Sequence, residues 1–314
     1  MINKEIIMGK PLDQKQEQTL KQIIKAVDQL PTLPSVITQL MSLSISDERF
    51  FEKVKQLAEQ DPTFTARLIK IANSSAFPSI TPVTSISHAV SRIGSRRIKE
   101  LITTFAIAKI FVPSNKSERD LWAHSIQVAV ASQLIASIAT ELNINPEEAY
   151  LAGLLHDIGR FVLFNIIPDG PEKIDKQEWD NPEHLLEAEK KVCGFNHAAL
   201  GGFAAKRWGL PESISDVIGR HHCHDHSILN QQEIKKGNLI KIIQMGDCLS
   251  VMLMKEPDIL YVTPKELQAQ IESKCIHESW HVPPISSLLL QSEVLNIHHK
   301  SSNTFIGLGL CVDE

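Results

Sequence analysis

Residues 1–27 are mostly polar, but Leu20, Ile23, Ile24 and Val27 fall at helical spacing, which predicts a short amphipathic lead-in helix. From residue 30 to 112, helix-length apolar periodicities alternate with sharp breaks. Pro31 and Pro34 come first, and Val36, Ile37, Leu40 and Leu43 follow them. Asp61 before Pro62 reads as a capping carboxylate with proline at the first helical position, where a missing N–H costs nothing. Phe64, Leu68 and Ile71 carry the apolar stripe of the helix that starts there. Residues 112–117 are polar and interrupted by Pro113, and mark either the border of an N-terminal helical lobe or a loop within one domain.

Beyond that break an apolar-periodic segment runs from about residue 120 to 142. Asn145-Pro146 then opens a helix expected to carry residues 149–158. Asn181-Pro182 opens another that stops at Gly194; Asn196 caps one reaching Trp208; Leu210-Pro211 leads into one ending near His222; and residues 238–254 read as one more. Strand character is confined to residues 259–263 and 304–312. The expected fold class is therefore all-α. Residues 28–112 form an additional N-terminal helical lobe, residues 117–254 a second lobe, and residues 255–314 a C-terminal extension.

Composition narrows the function classes. The chain has 314 residues, 43% of them hydrophobic and 22% charged, with a net charge of −5, so it can fill a large core but builds no positive field to gather phosphate backbones. With only two tyrosines for base stacking as well, nucleic acid is not the expected partner. Five widely spaced cysteines without a CxxC pair suit reduced thiols. Apolar runs such as residues 101–112 are too short to cross a bilayer, and the first residues lack the basic-then-apolar pattern of an export signal. The expectation is a cytoplasmic protein with no membrane partner.

Eight of the thirteen histidines fall between positions 124 and 226, where an even spread puts about four. Imidazole and carboxylate are the ligands that hold Zn, Mn or Fe, and a helical fold must deliver them from several helices to one point. His156 and Asp157 end an apolar helix together; buried without partners they would be costly, whereas a metal ion accepts both. The alternative is that they cap the helix and bond each other or the backbone. His124 lies one helix upstream, with Asp120 one turn before it; His197 opens a helix; His221 and His222 close another; and Asp247 is a lone carboxylate in an apolar helix. Taken alone, each is better read as a packed, surface or hydrogen-bonding residue than as a ligand; it is their company that points to a metal. His224 and His226 look like a solvated loop, and Cys223 has no CxxC companion to make a separate zinc site. Arg92, Arg96, Arg97 and Lys99 form a small basic spot, either a solvated helix face or a contact for an acidic partner.

The order His124, His156-Asp157, Asp247 resembles the H…HD…D signature of the HD superfamily of metal-dependent phosphohydrolases. With His197 and His221-His222 it resembles the two-metal arrangement of HD-GYP cyclic-di-GMP phosphodiesterases. No Gly-Tyr-Pro follows His222, however, so that substrate is not carried over. The chain is more closely similar to the HDOD family. The similarity lies in residues 30–34 (Leu-Pro-Thr-Leu-Pro), 61–74, 149–160, 194–197 (Gly-Phe-Asn-His) and onward through 208–211 (Trp-Gly-Leu-Pro) to His221-His222, over roughly residues 28–254. The resemblance implies an HD-like helical bundle in two packed lobes and a regulatory role in bacterial signalling. It also implies one or two divalent ions, Fe, Mn or Zn, on His124, His156, Asp157, His197, His221, His222 and Asp247. If the site is catalytic, Asp157 bridges or positions the attacking water and Arg160 receives a phosphate oxygen; the alternative for Arg160 is a surface charge near a helix end. The ligand is then a nucleotide or other phosphate ester, and the N-terminal lobe, which supplies none of these residues, is expected to meet a signalling protein.

Overall fold

In the computed structural model, the residues described are 21, 24, 25, 27, 28, 39–40, 43–74, 77–78, 80–177, 179, 181–223, 231–278, 280 and 285–310. The Leu-Pro-Thr-Leu-Pro motif, most of the lead-in segment, Ser75, His224 and His226 lie outside them. Helices α1 (Glu48–Gln60), α2 (Pro62–Ala72), α3 (Ile86–Ile93) and α4 (Ser95–Ile110) come first, and then the long α5 (Lys116–Ile138). Helices α6 (Pro146–Leu155), α7 (Ile158–Ile166), α8 (Gly170–Asp175), α9 (Pro182–Cys193), α10 (His197–Arg207), α11 (Glu212–Arg220) and α12 (Gln231–Lys255) follow, and α13 (Pro264–Lys274) and α14 (Ser287–Gly307) end the chain. The fold is all-α, with no strand among the described residues.

The starts are set by short polar side chains: Asp61 accepts from the Phe64 amide at 3.1 Å, Asn145 from Glu147 at 2.8 Å and Asn196 from Ala199 at 2.9 Å. Three expectations need correction. Residues 257–261 form a 3₁₀ turn and residues 304–307 finish α14, so neither predicted strand exists among the described residues; β-branched residues there serve helix packing instead. The helix predicted over 149–158 stops at Leu155, with His156 as its C-cap and Asp157 the N-cap of α7. The basic spot is largely paired within the chain. Arg97 binds Glu100 at 2.8 Å, Lys99 binds Glu147 at 2.5 Å, and Arg92 donates to the Thr81 carbonyl at 2.6 Å.

Helix α5 is the axis of the fold, packed by α6, α12 and α14. By length and composition it is apolar enough to span a membrane, yet 72% of that apolar window is buried by its neighbours. Trp122, Ile126, Ala129 and Ile135 on it are almost fully enclosed, which marks a core helix. The buried side chains of α1–α4 and of the later helices belong to one contiguous core. Polar ties cross between them: Gln133 donates to Glu100 at 2.7 Å, and the Thr104 and Tyr150 hydroxyls meet at 2.8 Å. Asn73 terminates α2 and holds the following turn, donating to the Val83 carbonyl and accepting from its amide.

Candidate metal centre

Two close helix approaches build the site. A Cβ at Gly159 would stand 1.9 Å from the carbonyl oxygen of His197, so only glycine lets the start of α7 meet the start of α10. A Cβ at Gly246 would stand 2.7 Å from the Ser132 hydroxyl, so α12 presses on α5 beside Asp247. The helix break after Leu155 turns His156 and Asp157 into the space between these contacts. His124 enters from α5, His197 from the first residue of α10, His221 and His222 from the end of α11, and Asp247 from α12.

All seven residues proposed as ligands meet. His156, Asp157, His197 and His221 are at most 4% exposed. The Nε2 atoms of His124 and His156 face each other at 3.3 Å. Those of His197 and His221 do so at 3.3 Å, and those of His197 and His222 at 3.0 Å. Asp157 divides its carboxylate: Oδ2 lies 3.8 and 3.9 Å from His156 and His124, and Oδ1 lies 3.1 and 3.7 Å from His197 and His221. Asp247 joins at the edge, its Oδ1 3.3 Å from His124 Nε2.

The outer nitrogens show which atoms face inward. His156 Nδ1 is 2.8 Å from the Gly153 carbonyl and His221 Nδ1 is 2.7 Å from the Ile218 carbonyl. A carbonyl only accepts, so both Nδ1 atoms carry hydrogen, and both rings turn Nε2 to the centre. His124 Nδ1 meets the Ser250 hydroxyl at 2.9 Å, which itself donates to Gln127 at 2.8 Å; His124 therefore donates outward as well. His197 Nδ1 donates to Glu189 at 2.7 Å, and the same carboxylate accepts the His197 amide at 2.8 Å.

Lone pairs this close repel unless a proton or a cation lies between them. Burial lowers His156 to about 4 and His222 well below its ordinary value, which keeps both rings neutral. Burial opposes charge on His197 too, but Glu189 and Asp157 outweigh it and raise that ring to about 10. Burial would raise Asp157, yet its interactions with the neighbouring His156 and His197 rings, His197 among them as a hydrogen-bond donor, hold it well below the carboxylate range. The donors form two groups, His124/His156/Asp157 and Asp157/His197/His221/His222, each with its donor atoms within 4.8 Å of one another. That spread suits nitrogen and oxygen atoms about 2 Å from a shared ion, and the outward bonds to Gly153, Ile218, Glu189 and Ser250 are the second tier that fixes metal-binding imidazoles. The residues present therefore fit a divalent metal.

Sequence reasoning missed Glu189 and Ser250. The signal for Glu189 is its place on the buried stripe of α9 with Leu185, Ala188 and Cys193, a position a charge does not take without a partner. Above the centre opens a cavity of about 490 Å³. Arg160 lines it, donating to Asp157 Oδ2 at 3.3 Å with its guanidinium 5.9 Å from the Phe164 ring centre, and its Nε is buried with no acceptor. Arg160 thus lines the cavity beside Asp157 rather than standing as a surface charge.

The sequence profile of the HDOD domain matches residues 30–224, well over half of the chain, and the chain belongs to that family. A solved HDOD domain protein of unknown function from Geobacter sulfurreducens is 25% identical, with a TM-score of 0.66 over 92% of this chain and 98% of that one. An uncharacterized protein of Treponema pallidum (strain Nichols) is 27% identical over 68% of this chain and 42% of its own length. Ribonuclease Y of Mycoplasmoides gallisepticum is 27% identical over 60% of this chain and 29% of its own length. The chain thus spans less than half the length of these two relatives.

Proposed function

We propose that this HDOD protein acts in signal transduction through a two-ion metal centre that hydrolyses a phosphate ester. The observation that carries the reading is Asp157, a buried carboxylate whose two oxygens each face a separate set of inward-turned imidazoles. Divalent ions bound there would supply hydroxide near neutral pH and neutralise charge on the phosphoryl group. His124, His156 and Asp247 would hold one ion and His197, His221 and His222 the other, with Asp157 placed between the two sets. Arg160 would offer its guanidinium to a phosphoryl oxygen in the cavity while its Nη1 steadies Asp157. Water forms the new P–O bond, the ester P–O bond breaks, and the alcohol leaves with the proton. The lobe of residues 48–110 supplies no ligand and is left to contact a signalling protein.

The test is hydrolysis of p-nitrophenyl phosphate and bis(p-nitrophenyl) phosphate by protein loaded with Mn²⁺, Fe²⁺ or Zn²⁺. Turnover that disappears with a chelator and with Asp157→Ala, and falls about 10²–10³-fold with Arg160→Ala, is expected. Fully loaded protein that cleaves neither ester contradicts the catalytic half of the proposal and leaves a metal-stabilised regulatory module.

A further inference from the structure

The cavity over the metal centre carries information about what enters it. Its volume, about 490 Å³, is that of a small-molecule site. Among the described residues that line it, only Arg160 and Lys255 are permanent cations, and Arg160 already leans on Asp157. Exposed carboxylates of Asp120 and Asp175 also line it. A strand of RNA or DNA brings a phosphate every few ångströms and is held by basic grooves with stacking platforms, and this arrangement offers neither the charge nor the length.

The rest of the wall is apolar and partly aromatic. Phe164 and Trp179 line it with Leu185, and on α12 Val251 and Met254 remain 38% and 41% exposed. Apolar surface kept open beside a charged floor is covered favourably by a flat, weakly polar body. Asp120, one turn above His124 on α5, makes no ion pair among the described residues and can accept from an amine or hydroxyl of such a body.

We infer that the cavity admits a compact ester with one phosphoryl group on a flat, largely apolar body, the size of a nucleoside monophosphate, and does not take a nucleic-acid strand. The inference rests on the metal-centre reading, because the phosphoryl group is placed over Asp157 and Arg160. The apolar wall then sets specificity, and the metal floor sets chemistry.

The test is calorimetric titration of metal-loaded protein, with metal content measured on the same sample. Three probes are compared: inorganic phosphate, the phosphonate analogue of adenosine 5′-monophosphate in which carbon replaces the bridging oxygen, and a ten-residue oligoadenylate. The phosphonate is expected to bind at least about tenfold more tightly than phosphate, the size of one good stacking contact. Trp179→Ala should erase that advantage while leaving phosphate affinity unchanged. Met254→Ala, at a half-exposed position that the fold tolerates, should reduce the advantage, and Arg160→Ala should weaken both small probes. Oligoadenylate binding tighter than the phosphonate, or equal binding of phosphonate and phosphate by loaded protein, overturns the inference. A sample that takes up no metal overturns the metal-centre reading instead.

Discussion

The N-terminal lobe buries Glu100 and the second lobe buries Asp157, and the two carboxylates have opposite company. Glu100 accepts from Arg97 on one oxygen at 2.8 Å and from Gln133 on the other at 2.7 Å, so each oxygen has a donor. Asp157 accepts from Arg160 at 3.3 Å and from His197 at 3.1 Å, and around these stand the Nε2 atoms of His221, His156 and His124 at 3.7, 3.8 and 3.9 Å. The first arrangement is complete as a piece of structure. The second gathers inward-facing imidazole nitrogens around one carboxylate, the arrangement of a candidate metal site rather than of a polar tie.

That contrast can be broken in graded steps. Glu100→Ala leaves the Arg97 guanidinium, only 17% exposed, without its carboxylate and should lower stability by about 3–5 kcal/mol in urea denaturation, with metal content unchanged. Gly159→Ala drives a methyl group into the His197 carbonyl and should cost about 3 kcal/mol, and unlike Glu100→Ala it should also reduce the metal bound. Glu189→Ala removes the support of His197 and should weaken metal affinity about 10–100-fold by competition with a chromophoric chelator; Glu189→Gln, which still accepts from Nδ1, should retain most of it. Tyr150→Phe should cost about 1 kcal/mol at neutral pH through the lost bond to Thr104.

Tyr150 also has a pH signature. Burial raises its phenol to about 12, whereas an unfolded tyrosine ionises near 10. The folded state therefore binds more protons between those values, so wild-type stability falls as pH rises from about 10 to 12. Tyr150→Phe should lack that part of the fall. Unchanged pH dependence in the variant would show that the phenol is not protected.

Much of this was readable from the residues in order. The capping residues Asp61, Asn145, Asn181 and Asn196 act locally, and each starts its helix where the sequence places it. His124, His156, Asp157, His197, His221, His222 and Asp247 stood out because histidines cluster in that third of the chain and their order resembles the HD signature, and the fold brings them to one point. What stayed hidden depends on distant partners. Arg97 looked like a solvated charge because its contacts to the Lys300 carbonyl and Thr304 come from the other end of the chain, and Lys99 because Glu147 lies 48 positions away. Ser250 gives no local sign that it will meet His124. The break at His156 and Asp157 was not readable because Ile158, Phe161 and Val162 carry the apolar pattern on beyond them.

The central claim is that Asp157 is shared between two ions. Elemental analysis of protein grown with supplemental Fe, Mn and Zn, beside Asp157→Ala and His124→Ala purified in parallel, tests it directly. About two equivalents in the wild type, near one in His124→Ala and almost none in Asp157→Ala are predicted. Wild-type protein without bound metal, or an Asp157→Ala variant that keeps its full complement, would contradict the account.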